Sequence, residues 1–365
     1  MKKLCLLLIL LFGIFTIAGC SKDSQQDNGK DTVNNNEEGT TNREDSQEEA
    51  KDSDSTDETK DQTQDQAAKE EVRIAALKGP TAIGMIKVME DASNQLTQNN
   101  YNFTVAGTAD EISVGLVKGE FDIAAIPCNL ASVLYQKTEG GISLAGINTL
   151  GVLYIVETGD TIQSVEDLKG KTIYSTGFGT TPQYTLNYLL NSYGIDPDKD
   201  LTIEYKTEAT EVAALLSESE DAIALLPQPY ATTVMLNNPK LRIALDVAKE
   251  WDAVSTDQSS VVTGVVVVRK EFLEEHKEAF DAFMKEYAES ARYVNENISD
   301  AAALVEKYDI FKAKPMEKAI PYCNITLIQG EEMKEKVSGY LNALYEQDPK
   351  SVGGKLPDEE FYYIP

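Results

Sequence analysis

The chain has 365 residues, in which 61 Asp and Glu stand against 33 Lys and Arg, giving a formal net charge of −28. A body this acidic is a poor partner for nucleic acid. It has one His and four Cys, and nothing in their spacing resembles a metal site.

The first twenty residues read as targeting rather than fold. Lys2 and Lys3 give a positive start, and Leu4 to Ile17 is almost wholly apolar. A bilayer span needs about 20 apolar residues, so this shorter run reads as the core of a signal peptide over 1–19. It ends in "IAGC", which resembles a bacterial lipobox. That resemblance implies cleavage before Cys20 and lipidation of its thiol, with diacylglyceryl and palmitate chains holding the N-terminus to a membrane. Residues 20–70 then read as a lipid-anchored tether. Between Ser21 and Glu70 there is no Leu, Ile, Phe, Tyr or Trp, and 16 acidic residues face 6 basic ones. Such a segment buries too little apolar surface to offset its ordering entropy, so it is expected to be disordered. Its random-coil reach is about 40 Å.

From residue 71 onward the chain is too long for one simple core and predicts two lobes. It is also written twice, at an offset of 100 residues. "FDIAAIPCNLASVL" (121–134) aligns without a gap on "DAIALLPQPYATTV" (221–234). "VRIAALKGPTAIGMIKVME" (72–90) aligns on "TIYSTGFGTTPQYTLNYLL" (172–190), bringing Gly79 onto Gly179 and Thr81 onto Thr181. Short alternating strands at 101–107 and 200–206 pair through Phe103 and Ile203 at the same offset. Each half therefore reads β-α-β-α-β-α. This predicts an α/β fold of two pseudo-repeated Rossmann-like lobes. Two long apolar runs, "SLAGINTLGVLYIVE" (143–157) and "SSVVTGVVVVRK" (259–270), read as hinge crossings. The expected division is 71–155 plus 262–365 for lobe I and 156–261 for lobe II. Extra C-terminal helices complete lobe I. Phe272, Leu273, Phe280, Phe283, Met284, Tyr287 and Val294 form one apolar stripe. His276 falls on the polar face of that helix and reads as solvated. Export would permit a Cys128–Cys323 disulfide, and the sequence leaves that pairing open.

In open α/β sheets, ligands sit beyond the carboxyl ends of the strands. Four turns qualify: Lys78-Gly79-Pro80-Thr81, Pro127-Cys128-Asn129-Leu130, Ser175-Thr176-Gly177-Phe178-Gly179-Thr180-Thr181 and Pro227-Gln228-Pro229-Tyr230. Each precedes a helix and offers unpaired backbone N–H groups. Thr149 and Thr263, on the crossing runs, join them as candidates. After the shared proline, Cys128-Asn129-Leu130 stands against Gln228-Pro229-Tyr230, and these unshared residues, Asn129 and Gln228 among them, read as two related turns holding different sides of one ligand. "GFGTTP" is neither a phosphate-binding P-loop nor a dinucleotide fingerprint, because Pro182 stands where the third glycine belongs. No Arg falls in any of the four turns, and Lys78 is the clearest cation. A multiply charged anion would recruit an Arg fork, so the expected ligand is neutral, zwitterionic or singly charged. Phe178 and Tyr230 could supply an aromatic wall, whereas Trp251 reads as packing. No nucleophile–base–orienter set is present, so the chain does not read as an enzyme, and no cofactor is called for.

"VEDLKGKTIYSTGFGTTPQYTLNYLLNSYGIDPDKDLTI" (165–203) carries "DL-x-GK", a strand, a Gly/Thr-rich turn, a helix and "G-I-D-P". With the lipobox, tether and doubled lobes, it resembles the solute-binding lipoproteins of ABC importers. Within them it is similar to the sulfonate, taurine, nitrate and thiamine-precursor branch, of type II periplasmic-binding-protein fold. The resemblance covers roughly 71–345. It implies a monomeric bilobed flytrap that captures a small organic solute between its lobes. The partners it implies are an ABC permease and its ATPase subunit. The place it implies is the outer side of a cell membrane, in a Gram-positive surface setting. A surface ligand sensor is the alternative, and an enzyme on the same fold is a lesser one.

Overall fold

The computed structural model describes residues 69–207, 209–256 and 259–365, which fall in one compact unit. The signal segment, Cys20 and the tether up to residue 68 lie outside the described residues.

The first half runs β1 (Glu71–Leu77), α1 (Pro80–Ile83), α2 (Ile86–Ser93), β2 (Asn100–Ala106), α3 (Ala109–Lys118), β3 (Ile123–Pro127), α4 (Cys128–Lys137) and β4 (Ile142–Leu150). A crossing strand, β5 (Leu153–Thr158), leads into β6 (Thr172–Ser175), α5 (Thr181–Ser192), β7 (Thr202–Tyr205), α6 (Ala209–Glu218), β8 (Ile223–Pro227), α7 (Tyr230–Asn237) and β9 (Leu241–Asp246). The chain returns through α8 (Val247–Val254) and β10 (Val262–Arg269). It ends in α9 (Lys270–Glu275), α10 (Lys277–Glu296), α11 (Ile298–Lys307), α12 (Ala313–Ala319), β11 (Ile325–Ile328) and α13 (Gly330–Gln347).

These strands build two sheets, of order β11-β4-β10-β3-β1-β2 and β7-β6-β8-β5-β9. Apart from β11 they share one plan. β1 and β6 are central and parallel to their neighbours, and β10 and β5 occupy the same antiparallel slot. That slot is filled in each sheet by a strand arriving from the other half. Pro127 at the end of β3 faces Gly264 of β10, as Pro227 at the end of β8 faces Leu153 of β5. The central strands read "IAAI", "IALL" and "VVVV" because helices cover both faces, and every one of those residues is buried. Core clusters lie on both sides of each sheet. The bilobed α/β fold expected from the repeat is therefore present.

Two elements differ from the reading. The run at 143–157 is two strands, since β4 belongs to the first sheet and β5 wholly to the second, with Gly151 and Val152 between them. The long C-terminal stripe is divided at His276 into α9 and α10, although its apolar residues pack as one face. His276 stacks on Phe272 and lies 3.4 Å from the Glu70 carboxylate, so it is held rather than freely solvated. Cys128 and Cys323 are unbridged and buried. Burial pushes both thiols up, Cys323 to about 12, which keeps them as inert apolar groups.

One glycine sets how α1 meets the crossing strand. Gly264 of β10 faces Thr149 of β4, and a Cβ there would lie 2.4 Å from both Thr81 Cγ2 and Asn148 Oδ1. The missing side chain lets α1 rest on the sheet, where Asn148 Nδ2 donates to Thr81 O at 2.9 Å. Gly264→Ala must overpack this contact, so it is expected to lower stability by about 1–3 kcal/mol. Urea unfolding checks this through a lower midpoint at unchanged slope.

Candidate functional site

Where β1 and β8 end, their turns face one another across a cavity of about 370 Å³. Of the residues expected from the sequence, Lys78, Gly79, Pro80, Gln228, Pro229, Tyr230 and Thr263 line it. Gly107, Val152, Pro227, Ile310 and Phe311 complete the wall. The lining draws on both sheets and on the α11–α12 connection. Gly79 has φ 132 and ψ −156, a conformation open essentially to glycine alone, and Pro80 starts α1 directly after it. This brings the turn's backbone, rather than a side chain, to the cavity edge.

Most of the wall is apolar: prolines, Val152, Ile310, Tyr230 and Phe311. Tyr230 is 44% exposed and meets Phe311 edge to face, with ring centres 5.8 Å apart. Besides Thr263, two polar side chains interrupt this surface. Lys78 Nζ lies 3.0 Å from Asp309 Oδ2 in a pair whose members stay largely in water. Lys78 holds the Asp309 carboxyl below its usual range, by hydrogen bond first and charge second. The other is Gln228, 1% exposed. Its Oε1 accepts from Thr232 Oγ1 at 2.8 Å and from Thr232 N at 3.3 Å, fastening the start of α7. With its oxygen committed, the amide keeps Nε2, which is buried and has no protein acceptor among the described residues, on a residue of the cavity wall. A buried donor left unpaired costs about 1–3 kcal/mol, so an acceptor oxygen placed here is strongly favoured. α7 begins at Tyr230, and the positive end of its dipole adds to the same field.

The other two turns do not line this cavity. The repeat superposes α5 on the α1–α2 segment and α4 on α7, so α4 and α5 should frame an equivalent space. Here that space is filled. Thr181 Oγ1 donates to Asn129 Oδ1 at 3.3 Å, and Asn129 Nδ2 donates to Ser351 O at 3.2 Å. Along α5, Tyr184 donates to Asp348 at 3.0 Å, Gln347 Nε2 donates to Tyr184 O at 2.8 Å, and Thr185 pairs with Tyr340 at 3.0 Å. α13 and the turn after it occupy the equivalent half. Cys128 and Thr149 are buried, and Thr81 bonds back to Leu77 O. The glycine-rich turn spends its polar groups locally: Thr180 Oγ1 donates to Gly177 O at 2.6 Å, and Gly179 N to Gln183 Oε1 at 2.7 Å. Thr176 O accepts from Ser175, and Phe178, 72% exposed, leans on Tyr205. Trp251 is fully buried and stacked on Tyr188 at 3.9 Å, a packing residue as read.

Four lining residues were not anticipated. Gly107 follows β2, so the same strand-end rule would have reached it. Val152 sits in the break between β4 and β5. Ile310 and Phe311 lie in the connection between α11 and α12, outside the repeat, and carry no signal of their own.

Among the described residues there is no cluster of side chains able to hold a metal, and no helix is long and apolar enough to cross a membrane. A search of curated proteins found no match. Solved structures do match. An ABC transporter protein from Parabacteroides distasonis is 25% identical with a TM-score of 0.67, covering 80% of this chain and 98% of that one. The periplasmic aliphatic sulphonate binding protein SsuA of Escherichia coli is 15% identical with a TM-score of 0.65, covering 82% and 93%. The alkanesulfonate-binding protein SsuA of Xanthomonas axonopodis pv. citri, bound to MOPS, is 13% identical with a TM-score of 0.56, covering 80% and 96%. The last two share the fold. A family model described as "ABC transporter, phosphonate, periplasmic substrate-binding protein" matches residues 87–318, well over half of the sequence. The chain belongs to that family of ABC-transporter substrate-binding proteins.

Proposed function

We propose that this protein captures a small organic oxyanion, singly charged and of sulfonate or phosphonate type, in the cavity between α1 and α7 and delivers it to an ABC permease and its ATPase. The observation that carries the reading is Gln228 Nε2, a buried donor without an acceptor among the described residues, on a residue that lines the same largely apolar cavity as Lys78. One amide and one lysine suit a compact single charge, and the absence of Arg from the wall disfavours a multiply charged one. Tyr230, Phe311 and Ile310 suit an apolar body. The phosphonate substrate-binding family and the two sulfonate-binding neighbours take the same head groups.

In this reading the two lobes close over the ligand about the crossings between Leu150 and Leu153 and between Asp246 and Val262. Contacts from the second lobe, Gln228 above all, favour the closed form. Cys20 anchors the protein by lipid at a cell surface, the acidic tether sets its reach, and it works as a monomer without catalysis.

Gln228→Glu isolates the amide donor. The new side chain keeps an oxygen for Thr232, so melting should stay within a few degrees of the parent at low pH, where the buried acid is neutral, and fall as it ionises. Above its pKa it turns a carboxylate on the ligand, and affinity should fall at least about 100-fold, like charges at close range costing several kcal/mol. Burial disfavours the charged form and raises that pKa. Affinity should therefore recover as pH falls and the acid again donates a proton, while the parent stays flat over the same range. Titration calorimetry with butanesulfonate, which stays a monoanion over this range, reads this out. Unchanged affinity at neutral pH would place the ligand elsewhere.

A further inference from the structure

The connection between α11 and α12 belongs to neither copy of the repeat, yet it forms the third wall of the cavity. Ile310 anchors it, 4% exposed, in the first lobe's core. Its backbone is pinned as well: Asp309 N donates to Glu306 O and Ile310 N to Val305 O, both at 3.0 Å, while Ala313 N donates to Glu306 Oε2 at 2.8 Å. This fixes the residues on either side of Ile310. On one side Asp309, at φ 52, sets its carboxylate 3.0 Å from Lys78 Nζ. On the other side Phe311 meets Tyr230, which belongs to the second lobe.

We propose that the Asp309–Phe311 turn determines which cargo the protein selects, through two separable contacts. Phe311 and Tyr230 grip the apolar body of the ligand, so affinity is graded by its length. Asp309 competes with the ligand's oxyanion for Lys78, so it sets the overall strength of head-group binding. The inference rests on the function proposed above. The physical basis is a difference in kind. Apolar contact grows with each methylene buried, whereas a charge acts on the head group alone. The Lys78–Asp309 pair is exposed on both sides, 40% and 95%, so it is weak enough for an incoming anion to displace.

The test is titration calorimetry of the full chain with methanesulfonate, butanesulfonate and hexanesulfonate. It compares the parent with Phe311→Ala, Phe311→Leu and Asp309→Asn, each first checked for cooperative melting. The parent should gain about two- to fourfold in affinity per methylene. Phe311→Ala should flatten that series, binding methanesulfonate within about twofold of the parent. Phe311→Leu, which keeps an apolar side chain, should retain most of the slope. Asp309→Asn should tighten all three ligands by a common factor of about two- to fivefold without changing the slope. A parental slope preserved in Phe311→Ala, or equal losses for all three ligands, would overturn the Phe311 assignment while the proposed function stands. Affinities unmoved by Asp309→Asn would overturn the assignment of Asp309. A parent that binds none of these sulfonates, nor the corresponding phosphonates, would overturn the proposed function and this inference with it.

Discussion

Each sheet of this protein is completed by a strand from the other half of the chain. β5 leaves β4 and is inserted between β8 and β9, and β10 returns to lie between β3 and β4. Both are central, antiparallel and buried, so neither sheet is closed until the chain has crossed. The consequence is geometric. The proline ending β3 and the proline ending β8 are each held against a crossing strand, so the turns that follow them point into the space between the lobes. Thr263 on β10 and Val152 just ahead of β5 bring the crossings themselves to the wall of the site.

Duplication alone would produce two equivalent half-sites, one framed by α1 and α7 and the other by α5 and α4. The C-terminal segment breaks that symmetry twice. α13 and the turn after it fill the α4–α5 half through Tyr340, Gln347 and Asp348. The α11–α12 connection borders the α1–α7 half without filling it, bringing Ile310 and Phe311 to the wall. A single asymmetric cavity is thus made from a symmetric frame by residues the repeat does not contain. Its chemistry is correspondingly uneven, with one unpaired amide donor and one half-neutralised lysine in an apolar enclosure.

This accounts for what was legible in the sequence. The two-lobed plan could be read because "IAAIP" and "IALLP" are buried strands with the same function, and local pattern specifies them. The turns after β1 and β8 could be placed because strand ends and helix starts are local features. Whether a turn faces an empty space depends on what is packed opposite, and that partner lies up to 222 residues away, as with Asn129 and Ser351. Asn129 and Gln228 look alike in the sequence. In the structure both make protein hydrogen bonds, but Gln228 lines the cavity and keeps a buried nitrogen without an acceptor among the described residues, whereas Asn129 does neither. Phe311 could not be found from periodicity, since it sits in a short connection whose role comes from a contact with the other lobe.

The central claim is that cargo is held in the α1–α7 half of the cleft, with its oxyanion on Gln228. A crystal structure of the protein with the ligand that accompanies it from its own cells tests this directly. The account predicts an acceptor oxygen within hydrogen-bonding distance of Gln228 Nε2 and an apolar body against Tyr230 and Phe311. A ligand seated at the 176–181 turn, or one leaving Gln228 Nε2 unpaired, would contradict it.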